Sequence, residues 1–163
     1  MLPLIVRVLS VSLFACLAIP IVAAQSLPEP ATDYLGEWRV VDDESGEAQA
    51  VMRIYEEDGK VHGRIVRSLA PNANLGDPVP CEDCEGEFED ADLRNVPILR
   101  NMEWDGDGFS GGRIYDPRSG RGYKCAMELE GADRLRVRGY LGIRALGRTQ
   151  VWERVSMPAD AGR

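Results

Sequence analysis

From residue 37 onward the chain is a succession of short runs rich in alternating apolar residues, each ended by a turn-forming cluster, and no stretch sustains a helical period. The predicted strands span 37–41, 50–55, 61–68, 97–104, 109–115, 123–130, 135–140 and 148–155. Between them lie Ser45-Gly46, Asp58-Gly59, Asp105-Gly-Asp-Gly108, Pro117-Arg-Ser-Gly120 and Gly131-Ala-Asp133, compositions that favour tight turns. The spacing predicts an all-β, antiparallel up-and-down meander. A meander of about eight strands removes its exposed edges by closing into a barrel, and an open sheet or a sandwich is the alternative.

Alternation is clearest in the sixth run. Tyr123, Cys125, Met127 and Leu129 share one face, while Lys124, Ala126, Glu128 and Glu130 share the other, so Cys125 is expected to point inward. In the second run Val51 and Met52 are adjacent, and the sequence leaves both registers open. Gly111-Gly112 is no phosphate loop, because no helix follows it; paired glycines in a strand permit sharp curvature or close packing by a large side chain.

Residues 1–24 read as a secretory signal peptide. Arg7 is its only charge, an apolar run covers 8–19, and Val22-Ala-Ala24 supplies small residues for cleavage before Gln25. A membrane anchor is the competing reading, but Pro20 interrupts a stretch already short of the roughly 20 residues a span needs. Leu13-Phe-Ala-Cys16 imitates an acylation box only loosely, since Phe14 is bulky there. Cleavage leaves 139 of the 163 residues, enough for one core and no integral membrane span. The expected layout is a Pro-containing tether over 25–33, a single domain over 34–156 with an acidic insertion at 70–94, and a tail over 157–163.

Beyond the signal, 18 basic residues face 27 acidic ones, a net charge of −9, and eight of those acids lie between Asp77 and Asp92 with no base among them. That imbalance excludes nucleic acid as an expected partner, because phosphate binding needs a basic footprint. The C-terminal half carries more bases, yet Arg136 and Arg138 alternate with Leu135 and Val137 as on the solvent face of a strand.

Four short signatures follow in order: Asn95-Val-Pro-Ile-Leu99, Gly111-Gly-Arg-Ile-Tyr-Asp-Pro117, Val137-Arg-Gly-Tyr-Leu-Gly142 and Gly147-Arg-Thr-Gln-Val-Trp152. Together they resemble the bacterial secreted domain-of-unknown-function family 2147, over about residues 34 to 155. The resemblance implies a signal peptide followed by one small β domain, and an exported, periplasmic or secreted location. Gly36-Glu37-Trp38 with Arg154 also resembles the Gly-x-Trp and terminal Arg that close one end of lipocalin-like barrels, the indole covering the floor and the guanidinium stacked on it. A lipocalin-like or avidin-like barrel is therefore expected.

In the resembled family a Cys-x-x-Cys can precede the Asn-x-Pro-Ile signature and a further Cys can follow the Tyr of the sixth strand; Cys81, Cys84 and Cys125 fall at those positions. An oxidising compartment suggests one disulfide and one leftover thiol. A bridge from Cys84 or Cys81 to Cys125 is favoured, because closing a loop of about 40 residues contributes about 2–4 kcal/mol, whereas a Cys81–Cys84 bridge would constrain little. A redox role fits poorly, since Glu82, Asp83 and Glu85 should raise a thiol pKa. The three cysteines with His62 could complete a tetrahedral zinc shell, but a second ligand pair is missing, and no metal or cofactor is assigned. The acidic run lacks the spacing of a calcium loop. A sole mature histidine leaves hydrolytic chemistry little support.

Tyr115-Asp116-Pro117 with Ser119-Gly120 is readable as a turn. Arg148-Thr149-Gln150 is less neutral, because inward polar side chains need partners or a ligand. The leading expectation is a nonenzymatic periplasmic or envelope protein whose barrel mouth takes a small, partly apolar ligand. Trp104, Tyr115, Tyr123, Tyr140 and Trp152 are the aromatic candidates for its lining, Gln150 is a polar candidate, and Arg113 and Arg148 are candidate anchors for an acidic group. The rival is a module with a filled barrel whose acidic insertion binds a basic protein partner, and an enzyme or metal-binding protein comes third. The barrel interior decides between the first two: a mostly apolar cavity of about 300 Å³ or more favours binding.

Overall fold

The computed structural model describes residues 26–81 and 84–156, so the expected signal peptide and C-terminal tail lie outside the described residues. Nine strand segments follow in chain order: β1 (Gly36–Val41), β2 (Ala48–Glu57), β3 (Lys60–Ser68), β4 (Leu99–Trp104), β5 (Phe109–Ser110), β6 (Arg113–Asp116), β7 (Arg121–Leu129), β8 (Arg134–Tyr140) and β9 (Arg148–Arg154). Every pairing is antiparallel. Chain neighbours lie side by side around the ring, and β1 pairs with β9 through Trp38–Arg154 and Arg39–Glu153. With β5 and β6 counted as one interrupted strand, this is a closed eight-stranded lipocalin-like barrel.

The expected fifth strand breaks at Gly111-Gly112. Gly111 adopts φ +76°, and a Cβ on Gly112 would overlap Met102 Sδ and the Arg100 carbonyl, so both glycines are needed where β4 and its partner press together. The ambiguity at Val51 and Met52 has a related cause. The β2–β3 register shifts between these two residues, and both become buried; Ala50, Met52 and Ile54 face the core. Cys125 and Met127 point inward as their alternation predicts. Ala126, on the outer face, is buried as well, beside Arg138 and a 3-10 turn at Arg144–Leu146.

One end of the barrel is packed solid. Trp38 is fully buried and donates its indole N–H to the Tyr34 carbonyl at 2.9 Å, while the Arg154 guanidinium lies 4.1 Å from the centre of the indole. Arg154 also donates to the carbonyls of Ala132, Leu35 and Asp33, which ties the last strand to the chain entering the first. Tyr34 stands edge-on to Phe109 and Trp104. The segment expected to be a tether without packing therefore ends in structure: residues Glu29–Thr32 form one helical turn, with Ala31 fully buried beneath it.

The acidic insertion is a packed strap that docks against Arg100 of β4, Tyr115 of β6 and Pro117 just beyond it. Leu93 and Phe88 are buried, Phe88 stacks on Tyr115 at 4.0 Å, and the Arg100 guanidinium lies 4.6 Å from the centre of the Phe88 ring. Glu87 pairs with Arg100 at 2.7 Å and Asp92 with Arg94 at 2.6 Å. The Arg94 guanidinium, with the Val79 and Arg94 amides, holds the Asp92 carboxyl well below the usual carboxylate range. Two of the acids expected to serve a basic partner are thus committed within the chain.

Candidate ligand-binding cavity

The two halves of the barrel differ in how they are filled. Along each strand, the residues toward the Trp38 end pack into a core made by Trp38, Ile54, Val61, Met102, Met127 and Leu135. Two to four residues farther along, the same inward faces line a cavity of about 430 Å³: Val40 on β1, Ala50 and Met52 on β2, Ile65 on β3 and Val137 on β8. Trp152 and Met52, both nearly inaccessible to solvent, form its floor. Gly139 contributes no side chain, which leaves room beside Tyr123 and Ile114.

Six of the eight expected ligand-site residues surround this space: Tyr115, Tyr123, Tyr140, Arg148, Gln150 and Trp152. The other two lie elsewhere. Trp104 packs against Tyr34 and Phe109 at the closed end, because its strand runs from the mouth toward the floor and Trp104 is its last residue. Arg113 is exposed and lies across Gly122 on the outer face. Gln150 accepts the Trp152 indole N–H at 3.1 Å, which fixes its carbonyl oxygen and turns its amide nitrogen into the available donor on the wall.

The rim carries an ion-pair cluster that no single stretch of sequence reveals. Asp42, just past β1, is the one buried charged residue among the described residues, at 3% exposure. Its Oδ1 accepts the backbone N–H of Ser45 at 2.9 Å and of Glu44 at 3.2 Å, and its Oδ2 accepts from Arg118 Nη1 at 2.9 Å. The Ser45 amide, followed by Arg118, holds its carboxyl down at about 2. Asp43 accepts two hydrogen bonds at 2.9 Å from Arg148 Nε, so Arg148 holds its carboxyl below the ordinary range. Arg148 also lies 3.4 Å from Glu44 and 3.7 Å from Asp42. The expected role of Arg148 as an anchor for an acidic group is corrected by these contacts, which pair it with the chain's own carboxylates.

Beyond the cluster, the β8–β9 connection brings Leu141 and Leu146 to the cavity rim at 63% and 80% exposure, with Ile143 exposed between them. A separate depression on the outer face of β7–β9 is a polar groove, lined by Arg136, Arg138, Arg144 and Glu128. Those groups serve one another: Arg144 and Arg136 pair with Glu128, and Arg138 donates to Thr149 Oγ1, the Arg144 carbonyl and the Ala145 carbonyl.

The cysteines correct a further expectation. Cys81 and Cys84 are joined to each other within the strap, their Cα atoms 5.4 Å apart, and Cys125 is a free thiol buried in the core. Loop-closure entropy had favoured the longer bridge, but that argument ignores where the strap docks: it leaves Cys125 enclosed among packed side chains. Burial pushes the Cys125 thiol up to about 12. His62 stacks on Tyr55 at 6.0 Å, and with Cys81 and Cys84 bonded to each other their thiolates are not available to a four-ligand zinc set. Among the described residues no group of three or more His, Cys, Asp or Glu side chains is placed to hold a metal ion, and no helix is long and apolar enough to cross a membrane.

This architecture is similar to that of a solved structure, protein HP1028 from the human pathogen Helicobacter pylori, described as belonging to the lipocalin family. The likeness has a TM-score of 0.64 at 15% identity, over 75% of this chain and 82% of that one. At that identity it establishes the fold alone. No curated protein matches the chain. Residues 36–154, the whole ring from β1 to β9, match the family model described as an uncharacterized protein conserved in bacteria, and the chain therefore belongs to family DUF2147.

Proposed function

We propose that this chain is an exported, nonenzymatic binding protein of the bacterial envelope, whose barrel holds a small, largely apolar molecule. The observation that carries the reading is the half-filled interior: about 430 Å³ of space above a packed floor, lined mainly by aliphatic and aromatic side chains with Gln150 as a polar point on the wall. Sites for small molecules are of this size and character, with few polar groups fixing orientation. A filled module would have continued the packing through Ala50, Val137 and Gly139. Among the described residues the cavity wall contains neither histidine nor cysteine, which supports binding without covalent or acid–base chemistry by those groups. Export rests on the sequence of residues 1–24, outside the described structure.

The test is a titration of the chain from residue 25 onward with N-phenyl-1-naphthylamine, an uncharged apolar fluorophore. Saturable binding is expected in the wild type and a strong loss in Ala50→Phe and Gly139→Phe, each of which places a ring in the cavity. Folding is checked by circular dichroism. Absence of saturable binding, or binding unchanged in both folded variants, would contradict the proposal.

A further inference from the structure

Resting on the binding reading just given, the geometry points to the chemical class of ligand: an apolar molecule with an uncharged polar end, with free carboxylic acids selected against. The guanidiniums lining the cavity are those of Arg118 and Arg148, and both are already occupied. Arg118 pairs with Asp42 at 2.9 Å and approaches Asp116 at 3.9 Å. Arg148 is held by Asp43, with Glu44 and Asp42 within 4 Å. Two cations thus face four carboxylates at one rim. An entering carboxylate would meet guanidiniums already paired within a rim of net negative charge, and would sit beside Asp42, Asp43, Glu44 or Asp116 as a like charge. A carboxylate that stayed unpaired in an apolar cavity would bear its desolvation cost uncompensated.

Asp42 makes the arrangement difficult to rearrange. It is buried, receives two backbone N–H bonds and the Ser45 hydroxyl, and sits in a turn closed by Asp42 N–H to the Glu47 carbonyl and Gly46 N–H to the Asp42 carbonyl. Arg118 is therefore fixed at one end by a carboxylate that cannot swing away. The uncharged donors on the wall include the Gln150 amide, whose oxygen is held by Trp152, and the Tyr123 and Tyr140 hydroxyls, and these suit a neutral acceptor such as a hydroxyl or carbonyl oxygen.

The experiment compares two ligands of equal chain length, 1-decanol and decanoate, by displacement of N-phenyl-1-naphthylamine at pH 7.5. Decanol is expected to displace the probe at a concentration at least about tenfold lower than decanoate, a difference of about 1.4 kcal/mol. In the double variant Asp43→Asn, Glu44→Gln, which releases Arg148 from two carboxylates, decanoate should gain severalfold while decanol is unchanged. Equal displacement of the probe by both ligands in the wild type would overturn the selectivity and leave the cavity reading intact. Discrimination that persists unchanged in the folded double variant would remove the assignment to this cluster. Failure of the probe to bind would overturn the cavity as a site, and this inference with it.

Discussion

Truncating Trp38 tests how the barrel is closed. The indole is fully buried, and aromatic side chains of this kind remove about 150–250 Å² from water, so shortening to alanine forfeits about 3–5 kcal/mol in transfer and cavity terms. The Tyr34 carbonyl loses its 2.9 Å donor, adding about 1 kcal/mol, and the Arg154 guanidinium loses the ring 4.1 Å beneath it. For a domain of this size each kcal/mol lowers Tm by about 3–6 °C, so Trp38→Ala should melt about 12–36 °C lower. Guanidinium chloride unfolding gives the free energy, provided the slope is unchanged. A double-mutant cycle with Arg154→Met isolates the stacked pair and should return a coupling of about 1–2 kcal/mol, because the three carbonyl bonds of Arg154 are lost in both arms. A Trp38→Ala midpoint equal to wild type, or zero coupling in the cycle, would refute this account of the floor.

Gly112→Ala should destabilise by about 1–3 kcal/mol, because its Cβ would meet Met102 and the Arg100 backbone; unchanged denaturant unfolding would contradict that contact. Peptide mapping without reduction should recover Cys81 joined to Cys84, and Cys125 should resist alkylation until denaturant is added, since its thiol is buried and raised to about 12. Rapid native-state labelling of Cys125 would overturn its placement. The Asp42 carboxyl, lowered to about 2 in the folded chain, stabilises fully above its ordinary value of about 3.9, and that contribution is lost as pH falls through about 2. An NMR titration of Asp42 with its midpoint near 4 would disprove the clasp at the rim.

The parts legible in the sequence were those governed by local pattern. Alternation located the strands and turned Cys125 inward, while the meeting of Trp38 and Arg154 was implied by their resemblance to the closing pair of lipocalin-like barrels. The parts that were not legible depend on contacts between distant segments. Asp42 meets Arg118 across 76 residues and Asp43 meets Arg148 across 105, so nothing local pairs either acid with its arginine. The sequence around Arg148 therefore shows a candidate anchor but not the Asp43 carboxylate that occupies it. Val51 and Met52 defeated strict alternation because a bulge buries both. The eight acids of the insertion suggest a surface for a basic partner, yet Phe88 and Leu93, with Val79 against the cavity, anchor it as a strap. Trp104 was placed by residue type alone, and its position on β4 puts it at the opposite end from the ligand site.

The central claim, that the open half of the barrel holds a small apolar molecule, is tested most directly by native mass spectrometry of the protein purified from the bacterial envelope without added ligand. The account predicts a species heavier than the processed chain by the mass of one small organic molecule, absent from folded Ala50→Phe prepared in parallel. A wild-type spectrum showing only the bare chain, under conditions where added N-phenyl-1-naphthylamine also fails to bind, would contradict it.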